Sequence, residues 1–304
     1  KFLQYMVTID EFRKILDALY AKNFVLVHPQ RLASKDAKGV MHWTPLQVPQ
    51  GKTPLIISFD DISYNSNIAN QGYASRLILD GSGKVTNEYT DAQGQQHVGS
   101  YDGVPVLDDF VAAHPDFSLG GDKATVALTG YEGVLGYKTS KFVYGDNDTT
   151  NGEIAKAKAV ADAMKATGWN FASHSYGHKN YTKLSAAQIQ SDMGRWLNDV
   201  PPVIGPTNML IYAFGADISD IKRYVPANPK YAYLQSVGFD YFFNVDGTTA
   251  AWYQLQPGSL RGARLNIDGI TISRAIYGKQ KVVPLFFDPK AIVDPKRPLP
   301  TPGS

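Results

Sequence analysis

The chain has 304 residues, with 30 Lys and Arg against 28 Asp and Glu, a formal net charge of +2, 43% hydrophobic residues and no cysteine. That balance excludes the basic excess of a nucleic-acid binder and the composition of a disordered chain, and the length allows a sizeable core. No apolar run approaches about 18 residues, so no membrane span is expected, and the lack of cysteine removes disulfides, thiolate metal ligands and a cysteine nucleophile together.

In chain order, Thr8 or Asp10 can cap a helix with Phe12, Ile15, Leu16 and Leu19 on its apolar face. Asn23 ends it and residues 24–27 follow as a strand, the alternation of an α/β fold. Pro45, Pro49 and Pro54 punctuate a loop. Residues 54–59 then read as one buried strand running into Asp60-Asp61. Residues 62–103 differ in character, being rich in Asn, Gly, Gln and Tyr. Turn signals at Asp80-Gly-Ser-Gly and Asp91-Ala-Gln-Gly flank residues 84–90 and predict a surface insertion carrying a β-hairpin. Helical spacing returns at 106–113, a strand follows at 124–129, and a helix at 153–167 is closed by Gly168. A short strand, 170–173, leads to His174. A helix at 185–200, a strand at 209–214, a helix at 231–237 and a strand at 241–244 continue the pattern. The apolar run 282–287 has the length of a strand, and the proline-rich tail from Pro295 is expected to be loose. The simplest organisation is one domain over residues 1–304 with 62–103 inserted in it. The alternation predicts a parallel sheet closed as a (β/α) barrel, with its chemistry at the C-terminal strand ends.

Two constellations carry that chemistry. Asp60-Asp61 places two carboxylates directly after an apolar strand, where charge needs a cation or hydrogen bonds beside it; a turn in which one Asp caps backbone amides is the plainer alternative. His174-Ser-Tyr-Gly-His178 places two imidazoles four residues apart, on one side if the segment is a helical turn. Two His and one carboxylate form a catalytic Zn²⁺ ligand set with a position left for water, and Co²⁺, Ni²⁺ or Fe²⁺ would also be accepted. The remaining Asp is then available as a base, and metal-assisted hydrolysis of an acyl group follows. Other motifs fail: residues 133–139 lack the Gly-Lys of a P-loop, and Asp146-Asn-Asp148 lacks the later Gly and Glu of a Ca²⁺ loop.

Ser58-Phe-Asp60-Asp61 followed by His174-Ser-Tyr-Gly-His178 resembles the first two motifs of the polysaccharide deacetylases, the NodB-homology or carbohydrate esterase family 4 group. The resemblance implies a distorted (β/α) barrel of about seven strands and a hydrolase that removes N- or O-linked acetyl groups from an acetylated glycan. It implies Asp60 as the base and Asp61, His174 and His178 as metal ligands. Tyr212-Ala-Phe214-Gly215 resembles the third motif, in which a backbone amide, here that of Phe214, stabilises the oxyanion, with Tyr212 beside it at the substrate. Ala213 departs from the proline usual there. Arg264 best matches the arginine that orients the base, with Arg261 as runner-up.

The family's late histidine, its general acid, is missing, since no histidine follows His178. A catalytically weak or inactive glycan-binding protein on the same scaffold is therefore the alternative, and a hydrolase of a small non-sugar amide is a third reading. Tyr64, Tyr73, Tyr89 and Tyr101 either face a sugar or pack the insertion. An uncharged glycan, a monomer and an extracellular or cell-envelope location are expected.

Overall fold

A computed structural model describes residues 2–68, 71–220 and 222–298. Thr8 is the cap of the first helix, Ile9–Ala21. Its side chain accepts from the Glu11 amide while the Glu11 carboxylate accepts from the Thr8 amide, a reciprocal box that needs Glu three residues after the cap. Asn23, at φ 60°, turns the chain out of the helix. The apolar run 54–59 is not one strand. Thr53–Leu55 pairs in parallel with Phe24–Leu26, and Ser58–Asp60 then pairs with Thr125–Leu128 in another sheet. Pro54 has no N–H to give, which suits a ladder with a neighbour on one side.

Seven strands form the main sheet, in the spatial order Tyr253–Gln256, Ser259–Arg264, Tyr241–Val245, Met209–Ile211, Asn170–Ser173, Thr125–Leu128, Ser58–Asp60. Six run parallel, and Tyr253–Gln256 is antiparallel at one edge. The hydrogen-bonded order is open, so the backbone does not close the expected barrel among the described residues. The sheet nonetheless curls far enough for side chains of its second and seventh strands to meet.

Alternation along each strand sorts the two faces of the sheet. Val126, Leu128, Phe171, Leu210 and Phe242 point outward into the larger core. Ala127, Ala172, Met209, Ile211, Phe243 and Leu260 point inward, packed with Ala33 and Met41. Those last two come from the hairpin Ala33–Lys35 and Met41–Trp43, which seals the mouth at the N-terminal strand ends. Tyr241 Oη donates to the Ala33 carbonyl at 2.6 Å, and Met41 N to the Pro257 carbonyl at 2.8 Å.

Several expectations change. Residues 62–103 hold a three-stranded antiparallel meander, Ala74–Leu79, Val85–Thr90 and Gln96–Gly99, in place of one hairpin. The Ca²⁺-loop look-alike is a helix start: Asn147 caps Asp148–Ala166 by accepting from the Thr150 amide at 3.0 Å. The run 282–287 contains a short helix, Val283–Phe286, because Pro284 suits a first helical turn and cannot donate within a strand. The tail is not loose from Pro295. Arg297 is buried, donates to Glu11 Oε1 at 2.6 Å and to the Met6 carbonyl at 2.8 Å, and so ties residue 297 to the first helix; residues 299–304 lie outside the described residues. Among the described residues no helix is long and apolar enough to cross a membrane.

Candidate active site

The mouth at the C-terminal strand ends gathers its residues by parity. Asp60 is in register with inward-facing Ala127, His174 lies two residues beyond Ala172, and Arg264 four beyond Leu260. All three therefore turn inward. Arg264 Nη1 and Nη2 donate to Asp60 Oδ1 and Oδ2 at 2.8 and 2.9 Å, a bidentate fork, and Nη1 also reaches Ser58 Oγ at 3.0 Å. Arg261, the runner-up, has the opposite parity and is fully buried, donating to Asp217 Oδ2 at 2.8 Å and to the Lys222 carbonyl at 2.8 Å.

Asp61, His174 and His178 each bring one ligand atom to a common point, all within 4.8 Å of one another. His174 Nδ1 lies 2.8 Å from the Ile211 carbonyl. A carbonyl only accepts, so Nδ1 carries the proton and Nε2, 3.8 Å from Asp60 Oδ2, keeps its lone pair. His178 Nε2 is 3.5 Å from Asp61 Oδ2. This donor set, nitrogen lone pairs plus a carboxylate with one tautomer already fixed, fits a divalent transition cation.

Residues 174–178 do not form the helical turn that their spacing suggested. Ser175 and His178 have φ of 64° and 49°, and Asp61 and Phe214 have φ of 59° and 60°. Left-handed backbone is costly for L residues and persists where surrounding bonds fix it. Here the Asp192 carboxylate accepts from the Tyr176 and Gly177 amides at 2.9 and 3.0 Å, Ser175 Oγ accepts from the Lys179 amide at 2.8 Å, and the Asp61 amide donates to the Ala127 carbonyl at 3.1 Å.

The electrostatics suit hydrolysis. Burial alone would raise the pKa of Asp60, but the Arg264 guanidinium and His174 more than offset it and hold the carboxyl below its usual range. Asp60 is thus anionic and able to accept a proton. Burial pushes the pKa of His178 down despite the Asp61 carboxylate beside it, which favours the neutral imidazole a metal ligand needs.

The third-motif residues part company. Phe214 sits on the turn Ala213–Gly215, is 67% exposed, and places its ring edge-on to His178 at 4.3 Å between centroids. Tyr212 has outward parity, following Leu210, and its side chain is in the core with its hydroxyl 2.8 Å from that of Tyr224. The structure does not bring the Tyr212 side chain to the mouth.

The other histidines are held elsewhere. His28 contacts the Gly168 carbonyl, His42 contacts Asp36, His97 contacts Asp91, and His114 stacks with Tyr20. Three of the insertion tyrosines pack it: Tyr64 donates to Asp102, and Tyr89 and Tyr101 stack with centroids 4.9 Å apart.

Sequence reading missed Asp192, which shapes the histidine turn from a distant helix, and Tyr131 with Asn65, which meet near Asp61. Burial, with the charges of Glu132 and Asp61, raises the pKa of Tyr131, so it keeps its proton. The Tyr-rich composition hides such a residue, and only the fold singles it out.

A family model for polysaccharide deacetylases matches residues 135–228, the stretch containing His174, His178 and the Phe214 turn. Among solved structures, a Streptococcus pyogenes deacetylase, PplD, in complex with acetate aligns at 14% identity with a TM-score of 0.45, covering 90% of this chain and 86% of that chain. Comparison with curated proteins finds no match. The family match bears out the resemblance read from the motifs, and with it the reading of the chain as an enzyme, a hydrolase acting on acetyl amide or ester bonds.

Proposed function

We propose that the chain is a metal-dependent deacetylase of an acetylated glycan, with Asp60 as base, Asp61, His174 and His178 as metal ligands, and Arg264 as the residue that positions the base. The convergence of the three ligand atoms beside an arginine-clamped Asp60 carries this reading. A divalent cation held there, Zn²⁺ first among the candidates, supplies Lewis acidity toward water and toward the acetyl carbonyl.

The rest is done by the chain's own groups. Asp60 accepts a proton from the attacking water at an oxygen kept anionic by Arg264. The Phe214 amide, on its left-handed turn, is the donor we assign to the developing oxyanion. The exposed Phe214 ring offers an apolar wall for a sugar beside His178. With no late histidine, Tyr131 is the protonated group we assign to assist the leaving atom.

Acetate release from acetylated oligosaccharides, abolished by a chelator and restored by added Zn²⁺, tests the reading, together with bound metal measured in the purified protein. Undiminished metal in His174→Ala would overturn the ligand assignment. The absent histidine favours the glycan-binding alternative; glycan binding without any acetate release would establish it.

A further inference from the structure

A second site lies on the same rim. Val245 and Arg264 are paired in register at neighbouring strand ends, and two residues beyond Val245 the chain enters a cleft of about 440 Å³. Gly247 and Thr248 line it from that strand end, Thr271 and Arg274 from the helix Gly269–Ile276, and Lys279 and Lys281 from the turn that follows. The lining holds three cations and no carboxylate, and none of the three has an ion pair among the described residues.

The backbone fixes this shape. The Lys279 and Gln280 amides both donate to the Arg274 carbonyl, at 2.7 and 3.1 Å, and Gln280 Nε2 donates to the Gly247 carbonyl at 2.9 Å. A Cβ at Gly247 would come within 2.9 Å of that Gln280 side-chain amide, so the two segments meet closely there. Asp246, whose carboxylate accepts from the Thr248 amide and hydroxyl at 2.9 and 2.7 Å, stands next to the lining and is already engaged there, and the three exposed cations offer an anion charge-assisted hydrogen bonds. The cleft and the mouth share neighbours along the rim: Gly215, next to Phe214, packs on Val245, and Leu265, next to Arg264, lies near Gly247.

We propose that this cleft binds the anionic group, phosphate or carboxylate, of an acidic glycan and so holds the polymer with an acetyl group at Asp60. The proposal rests on the deacetylase reading and names its substrate class. A net charge of +2 pointed to a neutral polymer because it averages away a local cluster of three cations.

The test titrates three probes calorimetrically at low salt: a hyaluronan octasaccharide for carboxylate, inorganic phosphate, and neutral chitohexaose. They are titrated into the wild-type chain and into the Arg274→Gln/Lys279→Gln/Lys281→Gln variant. The octasaccharide is expected to bind the variant about tenfold more weakly, since charge-assisted contacts are lost, and its binding to wild type should weaken as salt is added. Chitohexaose should bind both alike. Competition by phosphate assigns the cleft to phosphate as well as carboxylate; no competition assigns it to carboxylate.

Equal octasaccharide affinity in both proteins, or no binding of either anion by wild type, overturns the proposal. If the triple variant melts early, Lys279→Gln/Lys281→Gln, confined to the exposed turn, replaces it. Acetate release from chitohexaose is read in parallel. Release with no anion binding sinks the cleft alone, and anion binding with no release from any acetylated glycan sinks the deacetylase reading alone.

Discussion

Two arginine–aspartate pairs stand three residues apart on one strand and face opposite ways. In the outward pair, Arg261 and Asp217 are 0% and 3% exposed; in the inward pair, Arg264 and Asp60 are 18% and 31% exposed. Every nitrogen of Arg261 has a partner, in Asp217 or in the carbonyls of Asp220 and Lys222, and the rings of Tyr224 and Trp252 flank it. Arg264 Nε has none, and its carboxylate partner lies 3.8 Å from His174 Nε2, one of the three candidate ligands. Burial raises the pKa of Asp217 even against Arg261, whereas Arg264 and His174 hold that of Asp60 down. The same pair of side chains thus secures a loop in one place and keeps a half-exposed carboxylate ionised in the other. Exposure and incomplete hydrogen bonding tell the two apart.

The largest effect expected on that contrast is at the inward pair. Asp60→Asn should lower acetate release by about 10²–10⁴-fold, the range for loss of a general base, while the melting curve stays close to wild type. Activity within tenfold of wild type would break the contrast. At the outward pair, Arg261→Met strands a buried carboxylate and should cost about 3–5 kcal/mol in denaturant unfolding; an unchanged midpoint would count against its structural role.

Arg264→Lys replaces a two-pronged donor by a point charge. Acetate release should fall roughly tenfold, about 1.4 kcal/mol of barrier, and stability by less than about 1 kcal/mol, as for partly exposed pairs. A stability loss as large as that of Arg261→Met would erase the distinction. The smallest effect is in pH. Asp60, depressed in the fold, contributes stability that is present above the unfolded value of about 3.9 and is lost as pH falls through the folded one. Asp217, raised, does the opposite: stability declines as pH rises from the unfolded value through the folded one. In chelator-treated protein, Asp60→Asn should therefore flatten an acid-side loss and Asp217→Asn should remove a decline on going up in pH. Identical pH–stability curves for the two variants would contradict the opposite shifts.

Much of the site was legible because strand parity is arithmetic on residue numbers. Asp60, His174 and Arg264 could be placed at strand ends, and the face each takes follows from counting to Ala127, Ala172 and Leu260 once the inner face is known. The same count sends Tyr212 and Arg261 outward, so motif resemblance over-reached for Tyr212 where periodicity would have corrected it. What stayed hidden depends on contacts far apart in sequence. Asp192 is 15 residues from the Gly177 amide it holds, and Arg297 is 286 from Glu11. The division of residues 53–60 between two sheets was hidden as well, because an apolar run does not say which neighbour each half finds.

The clamp between Arg264 and Asp60 has a mechanical side. Its two residues belong to the second and seventh strands of a sheet whose backbone order never closes. The guanidinium is thus a fastener across a seam, and the two hydrogen bonds that hold the Asp60 carboxylate also tie these two strands together. Removing that carboxylate would undo the fastening along with the charge. The loosening would fall on Ser58–Asp60, an edge strand with one backbone neighbour in the sheet.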